Sequence, residues 1–376
     1  MALIPLLVFF LIFSLLILIH ELGHLFAAKK SGVRVDEFGF GFPPKLFGKK
    51  IKGTLYSLNL IPFGGFVRIP GSEYTEMDKK DKGNFANRSP KTKFLILIGG
   101  IFMNLVLATV LYYGFFIARG FTSLPLFLID DFSFRYGTTE KTENVIVYAQ
   151  SEVFKPGDHI LKIWMSNKPS LNLAPQTPEE VISFIADKKD EEIVFEVQNI
   201  QDSSIREVSA KTYYDSDLDR FVVGIGLGES AVIKYTSFTE KVFSPFLHSF
   251  NIFSYSGNIF KSLVKVSLGT KSPAPVANTL TGPVGIFFIV EALLKIGGVA
   301  ALMAIIDFTA LLSLSLAIMN LLPFPGLDGG HLVFVLYEAI FKKMPPLKFM
   351  QISSTVGMVF MIGLAILIAF KDFFMF

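Results

Sequence analysis

The chain contains no cysteine among its 376 residues. That excludes a disulfide framework and any thiolate-held metal, so only histidine and carboxylate side chains could carry an ion. Charge is also scarce. Asp, Glu, Lys and Arg make up 18% of the chain and balance to +3, which offers no basic surface for nucleic acid. What the chain has in quantity is apolar, with 51% hydrophobic residues and 41 Phe. Such a composition reads as a membrane protein with a water-soluble portion.

Four segments could cross a bilayer, for which about 20 apolar residues suffice. They are Ala2 to Ala28, Phe94 to Ala118, Val299 to Leu322 and Ile352 to Phe370. The first has neither a basic start nor a small-residue cleavage site, so it reads as a retained span. Basic residues flank the spans on one side: Lys29, Lys30 and Arg34, then Arg88, Lys91 and Lys93, then Lys342, Lys343 and Lys348. The positive-inside rule makes these loops cytoplasmic and turns both termini and the Arg119–Gly298 insert outward.

The first span ends in ILIHELGHLFAA, Ile17 to Ala28. On a helix, His20 and His24 project from nearly one face, a turn apart, with Glu21 beside the first. This is a two-point clamp for Zn2+, and the H-E-x-x-H spacing leaves Glu21 free to take a proton from zinc-bound water. A metal-free helix turning His and Glu into a polar cleft is the alternative, and a third ligand decides between them. Ionisable groups in an apolar span are costly, which favours function.

Between the first two spans, Val33 to Phe40 and Thr54 to Ile61 read as strands. The turn Pro62-Phe63-Gly64-Gly65 and a short strand, Phe66 to Ile69, follow. Their apolar content predicts a small sheet dipping into the membrane beside the metal, with a solvated hairpin as the rival reading. Glu73 to Ser89 reads as a polar loop. Beyond the second span, Gly120 to Thr142 lacks a pattern. An α+β module then follows: strands at Val145–Ala149, His159–Ile163, Ile193–Val197 and Arg206–Thr212, a turn at Lys155–Asp158, and a helix at Thr177–Ala186 capped by Thr177 and Glu180, with Phe221–Leu227 closing it. KPGDHILKI followed by a helix resembles a PDZ domain, whose groove captures extended peptides. Phe238 to Leu268 interleaves Phe with Ser, Asn and Lys and predicts amphipathic interfacial helices, a fifth span being the rival. Lys271 to Pro283 is a Pro-rich breaker, and Gly285 to Lys295 an apolar stretch against the third span or extending it.

In the third span, Asn320 lies about 32 Å along the helix from Val299, at the depth expected for His20. NLLPFPGLDGG, residues 320 to 330, then forbids a continued regular helix and presents Asp328 in a cavity. Asp328 is therefore the expected third ligand, with water in the fourth position of an open tetrahedral site. His331 is a competitor better suited to packing the helix Leu332 to Phe341. Asp307 lies too far up its helix, and Asn104 reads as an interhelical hydrogen bonder.

HELGH in a first span, GFG at Gly39 to Gly41, PFGGFVRI, GPVGI at 282 to 286 and NLLPFPGLDGG together resemble the site-2 protease family of intramembrane zinc metalloproteases. The similarity is strongest to its bacterial regulator-of-sigma-E protease (RseP) branch. It implies His20, His24 and Asp328 on one Zn2+, Glu21 as catalytic base, Asn320 on the substrate near the scissile bond, and a loop including Tyr56, Leu58, Gly64, Gly65 and Phe66 that guides substrate. There is room for one PDZ-like domain and not the tandem pair of that branch.

The expected fold is a four-span α-helical membrane protein with a membrane-associated cytoplasmic β-sheet loop and an inserted extracytoplasmic α+β PDZ-like domain. Its parts are the first span with HExxH (1–28), the strand loop (29–93), the second span (94–118) and an outer linker (119–143). The PDZ-like domain (144–230), interfacial helices (231–298), the third span with NLLPFPGLDGG (299–330), a short helix and loop (331–348) and the fourth span (349–376) complete it. The expected function is cleavage of single-span membrane proteins pre-trimmed on the outer side, anti-sigma factors or remnant signal peptides, at the cytoplasmic side of a bacterial inner membrane. The competing expectation is an inactive membrane PDZ adaptor or chaperone with a structural metal. The intact Glu21 speaks against it, since a structural site needs no base.

Overall fold

The computed structural model describes residues 3–72, 81, 83–128, 132–147, 153–154, 158–199, 204–215 and 219–375. Helix α1 (Leu3–Lys30) leads into strands β1 (Glu37–Ile51) and β2 (Thr54–Arg68), a 3-10 turn at Phe85–Asn87, and α2 (Pro90–Ala118). Next come β3 (Leu126–Leu128), β4 (Thr138–Val147), β5 (Asp158–Met165), β6 (Lys168–Leu173), α3 (Pro178–Ile185), β7 (Glu192–Asn199), β8 (Ile205–Lys211), β9 (Tyr213–Asp215), β10 (Arg220–Val222) and β11 (Leu227–Lys234). The remaining helices are α4 (Phe238–Thr270), α5 (Ala274–Thr279), α6 (Pro283–Lys295), α7 (Gly298–Leu321), α8 (Asp328–Phe341) and α9 (Leu347–Met375).

Among the described residues, α1, α2, α7 and α9 have the length and hydropathy to cross a membrane, so this is a multi-pass membrane protein. The expected spans are all present, with α2 and α9 reaching several residues beyond the apolar runs. Helix α4 is not among them. It is one continuous helix and not several. A reciprocal cap between Ser237 and Glu240 opens it, and Lys271, with φ +52°, ends it. The stretch expected from Gly285 is the separate helix α6.

The chain folds as two units. The first comprises residues 1–112, 277–291 and 305–376, and contains the small sheet of β1 and β2. Its register folds the two strands over each other. Glu37–Phe40 lies between Leu55–Leu58, running the same way, and Gly65–Arg68, running the opposite way. Lys45–Ile51 then pairs back on Thr54–Asn59 across a two-residue turn, Lys52 (φ +48°) and Gly53 (φ +84°). The sequence marks neither the Pro43-containing half of β1 nor the continuation of β2 through Pro62–Gly65, where a turn was expected. Tertiary contacts supply what local propensity lacks there. Ser14 of α1 donates its hydroxyl to Pro62 O at 3.0 Å and accepts Gly64 N–H at 3.3 Å, satisfying backbone groups at the bend. Residues 33–36 are not in the strand. They anchor it, Asp36 donating its N–H to Arg68 O at 2.9 Å.

In this unit a core of Leu25, Ala28, Val33, Phe38, Phe85, Ile96 and Val335 packs α1, the sheet, α2 and α8 together. Lys93, counted above as a loop charge, is instead fully buried and ion-paired with Glu338 of α8 at 2.7 Å.

The second unit, residues 113–276 and 292–304, holds an antiparallel sheet in the order β3-β11-β4-β5-β7-β8, with β6 on β5. Apolar residues of β4, β5 and β7, such as Val145, Ile160, Ile163, Phe195 and Val197, meet Val181 of α3 in one core, a register shift after Ile160 turning Ile163 to the same side. Thr177 caps α3 by accepting Glu180 N–H, as its spacing predicts. Part of the expected Lys155–Asp158 turn and of Val145–Ala149 lies outside the described residues. Within this unit His248 of α4 is buried edge-on against Phe116, with Tyr235 Oη 3.2 Å from its Nδ1. Burial pushes this imidazole down to about 3.

Candidate metal centre

Three side-chain atoms from two distant parts of the chain form a near-equilateral triangle. His20 Nε2 and His24 Nε2 are 3.2 Å apart, and Asp328 Oδ2 lies 3.1 Å from the first and 3.3 Å from the second. The two histidines stand one turn apart on α1, as the i, i+4 spacing demands. They are buried, at 8% and 7% exposure, and the carboxylate is half-buried. His24 Nδ1 lies 2.8 Å from Ile96 O of α2. A carbonyl can only accept, so Nδ1 carries the proton and Nε2 presents a lone pair.

Donor chemistry and spacing both fit a metal ion. Lone-pair atoms this close repel one another unless a proton or a metal cation lies among them, and the two imidazole nitrogens are the contacts of the buried Asp328 Oδ2. Ligand atoms at tetrahedral bond lengths of about 2.0–2.1 Å are separated by roughly 3.3–3.4 Å, close to the edges of this triangle. Among the described residues the cluster offers three ligand atoms, so a tetrahedral ion held there would have its fourth position open.

Glycines let the backbones come close enough. Asp328 opens α8 directly after the PFPG loop, where the chain doubles back. A Cβ on Gly329 would lie 2.0 Å from Leu322 O, and one on Gly330 2.4 Å from Phe324 O. The LDGG motif is thus what permits the carboxylate to face the histidines. Across the triangle, a Cβ on Gly100 of α2 would lie 2.4 Å from His24 Nε2 and 2.7 Å from His20 Cε1. Helix α2 makes room for the imidazoles at this one point.

Glu21 follows His20, and its Oε2 accepts Val67 N–H at 3.1 Å. This hydrogen bond identifies an open strand edge. Val67 stands opposite Phe38 yet donates away from it, whereas Arg68 O accepts from Asp36. The main-chain groups of Gly65 and Val67 therefore face away from β1, on the side of Glu21.

The other expected site residues are dispersed along the sheet and α7. Gly64 packs against Ile17 of α1, Gly65 pairs with Phe40, and Phe66 lies over Gly39 and stacks on Phe42. Leu58 is exposed. Tyr56 Oη accepts a hydrogen bond from Lys29 Nζ at 2.7 Å, at the far end of α1 from Leu3. Asn320 is half-buried in the last turn of α7. His331 packs edge-on against Phe334 and is outside the metal cluster, as is Asp307.

Sequence reasoning missed Gly100, the Ser14 latch and the place of Asn104. Asn104 was expected to bond between helices, and it does, but to a metal-site ligand: its amide lies 3.2 Å from His20 Nδ1. The i, i+4 spacing of Gly100 and Asn104 on one helix face was the available signal.

Comparison with known proteins agrees with this geometry. The profile of Peptidase family M50 matches residues 8–364. A protein of Clostridium perfringens named "Putative zinc metalloprotease" is 31% identical over 368 residues, covering 96% of either chain. One of the same name from Clostridium acetobutylicum is 30% identical over 368 residues, 96% of this chain and 95% of its own. A third, from Rickettsia conorii, is 28% identical over 381 residues, 97% of each. With the profile spanning nearly the whole chain and the ligand triangle inside it, the chain belongs to peptidase family M50.

Proposed function

We propose that the protein is an intramembrane zinc metalloprotease of the site-2 type, in the regulator-of-sigma-E protease branch, with a single PDZ-like module. It cleaves the membrane segments of single-span proteins already trimmed on the outer side, anti-sigma factors or remnant signal peptides among them. The observation that carries this is the triangle of His20, His24 and Asp328 with Glu21 on the same helix and an open strand edge beside it.

His20, His24 and Asp328 would hold the Zn2+. Once bound, the ion acts as a Lewis acid that polarises the scissile carbonyl and lowers the pKa of water towards about 7. The chain's own residues do the rest. Glu21 takes a proton from the attacking water and hands it to the leaving amide nitrogen, so that the C–N bond breaks into a carboxyl and an amino end. Asn320 donates its side-chain N–H to the substrate backbone or the developing oxyanion. Residues of β2 from Tyr56 to Val67, including Leu58, Gly64, Gly65 and Phe66, guide the substrate. The outward-facing main-chain groups of Gly65 and Val67 supply partners to a segment that has unwound from its helix, Val67 N–H once Glu21 releases it.

Lys29, Lys30, Arg34, Arg88 and Lys91 support a cytoplasmic position for the strand loop and hence for the active site, in a bacterial inner membrane. The module of β3 to β11 is then extracytoplasmic. A groove of about 330 Å³ between α3 and residues 220–227, lined by Ile182, Ile185, Phe221, Gly224 and Ile225, suits an extended peptide.

The test is a single-span reporter incubated with the full chain in liposomes. Glu21→Gln is expected to retain zinc and to lose cleavage, while His24→Ala and Asp328→Ala lose zinc. Full turnover by Glu21→Gln, or undiminished zinc in both ligand variants, would overturn the assignment.

A further inference from the structure

We propose that Asn104 is the positioning residue for His20, accepting the ring's Nδ1 proton through its side-chain oxygen and so fixing the tautomer and rotation that aim Nε2 at the metal. The proposal rests on the reading of His20, His24 and Asp328 as a metal site and adds a residue outside the ligand set.

Asn104 lies on α2 and is completely buried. Its amide places Nδ2 3.2 Å from His20 Nδ1 and leaves Oδ1 buried and unpartnered. For a histidine that offers Nε2 to a metal this is the wrong way round. Its Nδ1 carries the proton, so Nδ2 would set donor against donor. The oxygen and nitrogen of an amide differ little in shape, and the hydrogen-bond network decides which is which. Turning the amide over gives Oδ1 the proton of Nδ1 and removes the buried unpaired acceptor.

The two histidines are then held by one logic. His24 Nδ1–H donates to the carbonyl of Ile96, and His20 Nδ1–H donates to the amide oxygen of Asn104, two turns further along α2. Both ligands are oriented by one face of one helix. The main chain at Asn104 is itself fixed, because Ser313 of α7 donates its buried hydroxyl to Asn104 O at 2.9 Å. Gly100, one turn earlier, keeps that face flat against the imidazoles. A side chain needed only for helix association would not have to be aimed at the ligand's second nitrogen.

The experiment measures zinc affinity of the full chain in detergent, by competition with a chromophoric chelator, together with the visible spectrum of the Co2+-loaded protein. Asn104→Leu keeps the volume and removes the acceptor, and should weaken zinc binding by about 10–100-fold and shift the Co2+ bands. Asn104→Asp retains an acceptor and should stay within roughly threefold of wild type with an unshifted spectrum. Should Asn104→Leu fail to fold, Asn104→Ala takes its place in the same comparison.

Wild-type affinity in the Leu or Ala variant, or an equal loss in Asn104→Asp, would overturn the positioning role alone. A wild-type chain that takes up no zinc at all would overturn the metal reading and this proposal with it.

Discussion

Replacing Gly100 with alanine tests whether α2 reserves the space in which the ligands converge. The added Cβ would stand 2.4 Å from His24 Nε2 and 2.7 Å from His20 Cε1, against ordinary contacts of 3.4–4 Å. Something must move by about 1 Å. The His24 ring cannot swing aside cheaply, because its Nδ1 is tied to Ile96 O and its surroundings are buried. Metal ligands tolerate displacements of only about 0.2 Å, so a shift several times larger removes His24 from the coordination sphere. The expected fall in zinc affinity exceeds the roughly 10–100-fold that follows loss of an outer-shell partner. Overpacking should also lower stability by about 1–3 kcal/mol. Gly114 on the same helix is the control, since a Cβ there meets nothing within 4 Å. Gly114→Ala should leave zinc unchanged and stability equal or higher, the helix gaining up to about 1 kcal/mol. Zinc per chain after dialysis and thermal unfolding in detergent read both. Wild-type zinc affinity in Gly100→Ala would refute the reasoning.

Three further perturbations separate the roles of other residues. Ser14→Ala strips the partners from Pro62 O and Gly64 N–H, at a cost of about 1–3 kcal/mol. It should raise KM for a reporter without lowering zinc content, and an unchanged KM would deny the hydroxyl its hold on the strand. Lys93→Met leaves Glu338 without its buried partner and should cost about 3 kcal/mol in thermal unfolding, with recovery in the charge-swapped Lys93→Glu/Glu338→Lys pair. His248 takes up a proton far more readily unfolded, near 6.5, than folded, near 3. Its contribution is therefore constant above about pH 6.5 and lost as the pH falls, by about 2 kcal/mol at pH 5, and His248→Gln should flatten that acid limb.

The sequence determined the membrane class, four membrane-length helices and all three residues of the candidate metal cluster, because each is written locally. Long apolar runs force helices in lipid, i, i+4 spacing puts two imidazoles on one face, and Pro and Gly around Asp328 break the helix that would otherwise carry it past them. What it left open depends on other parts of the chain. The second half of β1 follows a Pro-Pro pair and pairs only because a Lys-Gly turn returns it to β2. The bend at Pro62–Gly64 remains in the strand because a serine 48 residues earlier in the chain satisfies it. Lys93 reads as a loop charge until α8 brings Glu338 to it.

Gly100 and Asn104 make the same point at the centre itself. In sequence they are a small residue and a polar one in an apolar helix. Only the packing of α2 against α1 turns the first into space for two rings and the second into a partner for one of them. Spacing within a helix is a local property that residue order encodes directly, whereas which helix faces which, and at what height, is set by burial summed over the whole unit.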